Sequence, residues 1–449
     1  MLESCWASHR YRKGFHLFTN HESGGTRRSP TSPVVRNSGA SIFAKSFGGQ
    51  VGGHVVGQAG VPGVPSVIHA LGALDLRSAR ESLSESAMES EPAILSLAQS
   101  ELQDWFAAKG ESRYRSEQVL RWIYRKRVER FDQMLNLPES LRASLETSFL
   151  LRSLQCVRQT GSKDTTRKFL FSLPDQNLVE SVLIPASPAL YGSSSDRRTL
   201  CISTQVGCAY GCKFCASGLN GWTRDLRAGE IVEQIIQVEA ITGEKINNLV
   251  FMGMGEPLAN FSNVMRAIEI INAPWGIGIG ARHITVSTSG LVPRIRQLAE
   301  HPLQVRLAIS LHGATDAVRN QIMPINRKYN LASLLEACVY FTEKKKQRLT
   351  FEYILIESVN DQIEQAIALG ALAVRLKAKV NLIPYNRVEG LSWKRPSFSR
   401  QHIFLKTLER RGVGATIRRE KGHDIDAACG QLRLQTLRDK SFAGVSEVG

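Results

Sequence analysis

"TLCISTQVGCAYGCKFCASG", residues 199–218, starts as a strand and ends as a cysteine-rich loop. "TLCIST" is short and rich in β-branched residues, the composition of a strand. Behind it Cys208, Cys212 and Cys215 follow a C-x3-C-x2-C spacing, and Cys201 stands seven residues before that pattern. Three thiolates on so short a loop wrap one face of a metal centre. Four ligands suit tetrahedral zinc or a fully capped cluster. Three suit a 4Fe–4S cube with one iron left open, which the amino and carboxylate groups of a methionine derivative would chelate. A zinc knuckle with a remote fourth ligand is the alternative. Its usual C-x2-C pairs fit the spacing less well.

Downstream, strands and helices alternate. The strands read "TLCIST", "NNLVFMG", "HITVST", "VRLAIS", "LTFEYILI" and "VNLIPYN". Between them lie helical stretches such as "AGEIVEQIIQVEAIT", "NVMRAIEIIN", "LASLLEACVYFTEKKK" and "DQIEQAIALGALAVRL". Six such units predict an α/β fold with a parallel sheet, rolled into a barrel or part of one, over residues 199–435. Functional loops of such folds gather at the carboxyl ends of the strands. The distinctive residues sit there: the cysteine loop, "GMGEP", "STSG", "SLHG" and "PYN".

The flanks differ. Residues 1–92 read as a disordered presequence. Up to Arg80 there are nine Lys/Arg and three acidic residues, with many Ser and Gly. Acid-poor, Ser-rich and Arg-containing composition marks an organelle transit peptide; a plain disordered tail is the alternative. The weakly amphipathic, Gly-rich character points to the chloroplast, with mitochondrion or cytoplasm as alternatives. Residues 93–152 read as a small helical domain. Val119, Trp122, Ile123 and Phe131 fall at core spacing there, and Arg121, Arg125, Lys126, Arg127 and Arg130 fall on the other positions as a basic face. Its Trp and Phe serve the core rather than stacking on bases. Residues 153–198 read as a hairpin or linker turning through "PDQN", followed by a Gly/Ser-rich loop, and residues 436–449 as a tail.

The net charge is +16 and the pI about 9.6. Leaving out the first 80 residues, the basic excess is still 10. Such a surface favours a polyanion, most simply nucleic acid; a merely solvated basic surface is the alternative. No run of about 18 apolar residues occurs, so no membrane span is predicted. The 8 cysteines are Cys5, Cys156, Cys201, Cys208, Cys212, Cys215, Cys338 and Cys429. With half of them in one cluster, the chain reads as a reducing-compartment protein with a metal site.

The C-x3-C-x2-C loop, with Phe214 before its last cysteine and "GMGEP" about forty residues on, resembles the radical S-adenosylmethionine superfamily, which implies a partial (β/α)6 barrel of the radical SAM type. "CISTQVGC", "MGMGEPL", "STSG", "SLHG", "NLIPYN" and "DIDAACGQL", in this order, resemble more narrowly the RlmN/Cfr family of radical S-adenosylmethionine RNA adenosine methyltransferases, over about residues 95–435. The resemblance implies that Cys208, Cys212 and Cys215 hold a 4Fe–4S cluster. It implies contacts to S-adenosylmethionine from Gly255, Glu256, Ser287, Ser310, Leu311, His312 and Asn386. A packed loop residue is the other reading of His312.

The family's chemistry accounts for the remaining thiols. Adenine C2 is an electron-poor sp2 carbon that cannot attack a sulfonium methyl, whereas a carbon radical adds to it. The resemblance therefore implies two S-adenosylmethionine molecules per turnover. One methylates Cys429; the other yields the radical that activates this methylthioether for addition to the base. Glu180 matches the proton acceptor. Cys201 matches the thiol that resolves the protein–RNA adduct, leaving a disulfide. Taken alone, Cys201 and Cys429 read as quiet core thiols and Glu180 as a solvent-facing charge. The implied partners are large-subunit rRNA, tRNA at the adenosine 3′ of the anticodon, and an electron donor such as flavodoxin or ferredoxin, with the chain a monomer and no membrane partner. Methylation at C8, as Cfr does, and a zinc-binding RNA chaperone without catalysis are the competing readings.

Overall fold

The structure is a computed structural model that describes residues 92–186, 196–219, 221–388, 390–418, 421–428 and 430–432. Residues 1–91, read above as a presequence and including Cys5, residues 187–195 of the Gly/Ser-rich loop, Cys429 and the tail lie outside the described residues.

Three helices come first: α1 Gln99–Ala108, α2 Tyr114–Tyr124 and α3 Glu139–Ser148. Val119, Ile123 and Phe131 are buried, as their spacing requires, while Trp122 is half-buried and donates its indole N–H to Asn136. The basic face lies at the surface as expected, with Arg121, Arg125, Lys126 and Arg130 exposed and Arg127 half-buried, and several of its cations carry acceptors. Arg125 donates to the carbonyls of Pro274 (2.6 Å) and Ile277 (3.2 Å), Arg127 pairs with Glu239, and Arg130 pairs with Asp132 at 2.7 Å. Arg125 and Arg127 find acceptors in neighbouring elements, and Arg130 finds one two residues along the chain, because each guanidinium carries five donors in a fixed fork. Arg121 and Lys126 stay exposed, the latter over the Trp122 ring.

Strands β1 Gln155–Gly161, β2 Arg167–Ser172 and β3 Leu178–Pro185 follow, then β4 Arg198–Cys201. β2 and β3 form the expected hairpin, but residues 153–198 are not a linker. β1, β2 and β3 are successive antiparallel strands, and β3 pairs antiparallel with β4. The segment is a wing of the main sheet. Its alternation is masked because β3 is buried on both faces over most of its length. Glu233 fixes the wing's entry by accepting the backbone N–H of Ser153 and Leu154 at 2.9–3.1 Å.

A short ribbon, β5 Gln205–Gly207 paired with β6 Trp222–Asp225, brackets the cysteine loop. The alternation then runs α4 Ala228–Thr242, β7 Asn248–Phe251, α5 Phe261–Asn272, β8 Ile284–Thr288, α6 Val292–Glu300, β9 Arg306–Ser310, α7 Asp316–Ile322, α8 Leu331–Lys345, β10 Thr350–Leu355, α9 Ile363–Arg375, β11 Lys379–Pro384, α10 Phe398–Arg410 and β12 Ala415–Ile417. The ten-stranded sheet has the order β1-β2-β3-β4-β7-β8-β9-β10-β11-β12, parallel from β4 onward. Six of its parallel strands are those read from the sequence. The seventh, β12, is three residues long, too short for any periodicity to reveal. Long apolar side chains of α4, such as Ile231, Ile235 and Ile236, close one face of the sheet, and Cys338 is buried in α8 as its apolar helix predicts.

Candidate active site

At the carboxyl ends of the parallel strands one cavity is lined by Cys208, Cys212 and Cys215, and by Gly255, Glu256, Ser287, Ser310 and His312. Thus eight of the residues singled out in the sequence meet in one place. Leu311 and Asn386 are buried beside it without lining it. Leu311 contributes its backbone, with its N–H on the Glu352 carbonyl at 3.0 Å. Asn386 Oδ1 accepts from Arg395 at 3.0 Å.

Close backbone approach builds the cysteine wall. Gly207 has a φ of 75°, and a Cβ there would come within 2.1 Å of the Gly221 carbonyl oxygen. No other residue fits this crossing of the ribbon. Gly255 has a φ of 98°, and a Cβ would lie 2.6 Å from Cβ of Gln205. The "GMGEP" turn therefore lies directly on the strand that carries the cysteine loop. The loop's far side is held by Lys213 N–H on the Ile322 carbonyl (2.9 Å) and Ala216 N–H on the Gly430 carbonyl (2.7 Å).

The donor chemistry fits an iron–sulfur cluster. Burial pushes the Cys208 thiol up to about 12, and burial holds Cys212 well above the ordinary thiol range, with the neighbouring cysteines adding to both. Such sulfurs ionise together only against a compensating cation. Among the described residues no three His, Cys, Asp or Glu side chains converge on a point where a single ion could sit. A cubane does not require that, because each thiolate binds a different iron.

Glu256 is buried, and burial raises its carboxyl. Its Oε1 accepts from Leu258 N–H at 3.0 Å and its Oε2 from Ser289 N–H at 2.7 Å, tying the strand β7 loop to the "STSG" loop. Ser287 and Ser310 face each other with hydroxyls 3.3 Å apart. His312 sits at a φ of 55°, accepts the Ile354 N–H on Nδ1 at 3.0 Å, and stacks edge-on to Phe214 at 4.7 Å. Burial drives its pKa down to about 3, so the ring is neutral with its proton on Nε2.

Cys201 and Glu180 lie deeper. Cys201 pairs in register with Val182 of β3 and Val250 of β7. Glu180 stands two residues before Val182, so both side chains share one face of the sheet. Both are buried, and Glu180 is not solvent-facing as a strand carboxylate would be read: it pairs with Lys168 Nζ at 2.9 Å. Lys168 also reaches the Asp426 carbonyl at 3.3 Å. Asp164 accepts the Gly422 N–H at 2.9 Å. The segments on either side of position 429 are thereby held, one against the β1–β2 turn and the other against the cysteine loop.

Sequence reasoning missed Arg319, Gln205 and Glu352. Arg319 is wholly buried and donates to the carbonyls of Leu311 (2.9 Å) and Ser289 (2.7 Å) and to Asn326 Oδ1 (2.9 Å), joining the "SLHG" and "STSG" loops. Gln205 accepts the Glu256 N–H at 2.8 Å and donates to Asp225 at 2.7 Å. Glu352 lines the cavity from β10. Each is a polar residue in an amphipathic stretch, and only the tertiary fold distinguishes it from a surface residue.

Two family models match this chain: the radical SAM superfamily over residues 202–370, and the ribosomal RNA large subunit methyltransferase N-terminal domain over residues 93–151. A probable dual-specificity RNA methyltransferase RlmN of Akkermansia muciniphila is 53% identical over 78% of this chain and 98% of its own. A protein of the same designation from Geobacillus kaustophilus is 46% identical over 78% of this chain and 94% of its own. The crystal structure of a radical SAM methyltransferase from Sphaerobacter thermophilus aligns with a TM-score of 0.72 at 43% identity, covering 76% of this chain and 99% of that one.

Proposed function

The chain belongs to the RlmN family of radical SAM RNA methyltransferases, and from that premise we propose that it methylates C2 of adenosine in large-subunit rRNA and in tRNA. The observation that carries the reading is the single cavity in which the three cysteines face Gly255, Glu256, Ser287, Ser310 and His312. Cys208, Cys212 and Cys215 would hold a 4Fe–4S cluster through three irons, and Gly255, Glu256, Ser287, Ser310, His312, the Leu311 backbone and Asn386 would hold S-adenosylmethionine. When bound, these groups supply a one-electron cleavage that gives a hydrogen-abstracting carbon radical. Two S-adenosylmethionine molecules are used per turnover, because one must furnish the methyl carbon.

The protein's own groups do the rest. Cys429 carries the one-carbon unit as a thioether and bonds it to C2 of the base. Glu180 takes the proton that the adduct must lose. The Cys201 thiolate attacks the Cys429 sulfur, the carbon–sulfur bond breaks with its electron pair passing to the methylene carbon and the ring, that carbon takes up a proton to become the methyl group, and a Cys201–Cys429 disulfide remains for reduction. The shared sheet face of Glu180 and Cys201 supports this division of labour.

Mass spectrometry of nucleosides from RNA treated with the reconstituted enzyme tests the reading. The expected product is 2-methyladenosine; 8-methyladenosine would move the target carbon, and unmodified RNA would end the proposal. Residues 1–92 are proposed as a chloroplast address. Fused to a fluorescent protein, they are expected to carry it into plastids, and diffuse or mitochondrial fluorescence would refute this. A monomer fed by flavodoxin or ferredoxin completes the proposal, open to light scattering and to reconstitution with each purified carrier.

A further inference from the structure

A second opening lies at the amino ends of the parallel strands, and the sheet's pleat connects it to the cavity described above. Alternate residues along β10 face inward: Thr350 lines the second opening, Ile354 the candidate active site, and Glu352 both. On β9, Arg306 and Ala308 line the opening and Ser310 the site; just past β7, Met252 lines both. The two spaces therefore meet at Met252 and Glu352.

The opening is strongly basic. Arg197, Arg306, Arg348, Lys379, Arg418 and Lys421 line it, and among the described lining residues Glu352 at its inner end is the one acid. A phosphodiester chain is drawn to such a rim. The opening also leads to the face that bears Cys201 and Glu180. Cys201 is two residues beyond Thr199 and register-paired with Val250, and Glu180 is four residues before Ile184, all three of these neighbours lining the opening.

Glu352 is fully buried, and its two oxygens are treated differently. Oε1 accepts from Asn381 Nδ2 at 2.9 Å, whereas Oε2 has no hydrogen-bond partner among the described residues, the Arg418 charge acting on the carboxyl without bonding this oxygen. A buried carboxylate oxygen without a donor is uncommon and points to a donor supplied from outside. Adenine carries a donor, the exocyclic N6 amino group, where guanine carries the O6 acceptor. A contact at N6 also leaves the C2–H edge of the base uncovered.

We propose that the target nucleotide enters through this basic opening and that Glu352 Oε2 accepts a hydrogen bond from its adenine N6 amino group. The proposal rests on the RNA methylation reading. It makes Glu352 a specificity-determining residue and the rim cations phosphate contacts that position without reading sequence.

The test is competitive methylation by the full reconstituted enzyme of two anticodon stem-loop RNAs. One carries adenosine just 3′ of the anticodon; the other carries purine riboside, which lacks the 6-amino group. The wild-type enzyme is expected to favour the adenosine RNA about tenfold in kcat/KM, the size of one lost base-edge contact. Glu352→Met removes the acceptor at similar bulk and is expected to bring the ratio close to one. Glu352→Gln, nearly isosteric, is run beside it in case the Met variant fails to fold, and its ratio is expected to fall severalfold. Equal use of both RNAs by the wild type, or a preference that neither variant alters, overturns the assignment. Absence of product from the adenosine RNA itself would instead overturn the methylation reading. The Arg348→Ala/Lys379→Ala variant should weaken both RNAs alike and lower the salt slope of binding by about two while keeping the preference. An unchanged slope removes the opening from the route.

Discussion

Cys201→Ala is expected to turn the enzyme into a stoichiometric crosslinker. Incubated with cofactors and RNA, the variant should give a band on denaturing gels that contains both protein and RNA, and released methylated RNA should fall by on the order of a hundredfold or more, as when a positioned reacting group is lost. The expectation follows from where the thiol sits. Cys201 lies in the middle of the sheet, 6% exposed, paired with Val182 and Val250 and outside the C-x3-C-x2-C loop. Removing its sulfur leaves the cluster ligands untouched. Formation of the carbon bond to Cys429 should therefore proceed, and only its resolution should stop. The small side-chain change costs about 1 kcal/mol of stability, which a chain of this size tolerates. Free RNA with full turnover from this variant would remove Cys201 from the reaction.

Much of this architecture was legible in the sequence, because parallel strands buried on both faces write themselves as short apolar runs between amphipathic helices. The loops at the strand ends could be read too, since Gly207 and Gly255 are demanded by backbone crossings that leave no room for a side chain. What escaped was whatever depends on tertiary pairing. The β2–β3 hairpin was legible, but its membership of the main sheet was not, because β3 shows no clean alternation, and the carbonyl and Glu239 partners of Arg125 and Arg127 are set by tertiary packing. Arg319 and Glu352 are single polar residues in otherwise ordinary segments. Their burial, 0% and 5% exposed, is visible only once the "STSG" and "SLHG" loops and strand β10 close around the cavity. The role given to position 429 came from the resemblance carried by "DIDAACGQL", since taken alone its cysteine reads as a quiet core thiol.

Cys212→Ala is expected to abolish iron binding and activity while leaving the fold in place. The wild-type protein purified without oxygen should be brown and hold about four irons and four sulfides per chain, the content of one cubane. The variant should be colourless with iron near zero, because a cube held by two thiolates has lost the geometry that excludes solvent and competing ligands. Cys212 is the apt choice among the three. Its thiol lies well above the ordinary range through burial and through the neighbouring Cys215 and Cys208, and the nearby Arg319 charge pulls the other way. In the apoprotein it therefore stays protonated and uncharged, and alanine replaces it without stranding a buried charge. The loop remains anchored by the β5–β6 ribbon and by Ala216 N–H on the Gly430 carbonyl, so the far-ultraviolet circular dichroism should not change. A colourless wild-type protein containing one zinc would count against the whole radical mechanism and in favour of a metal knuckle without catalysis. The same zinc content in wild type and variant would show in addition that these cysteines are not the ligands.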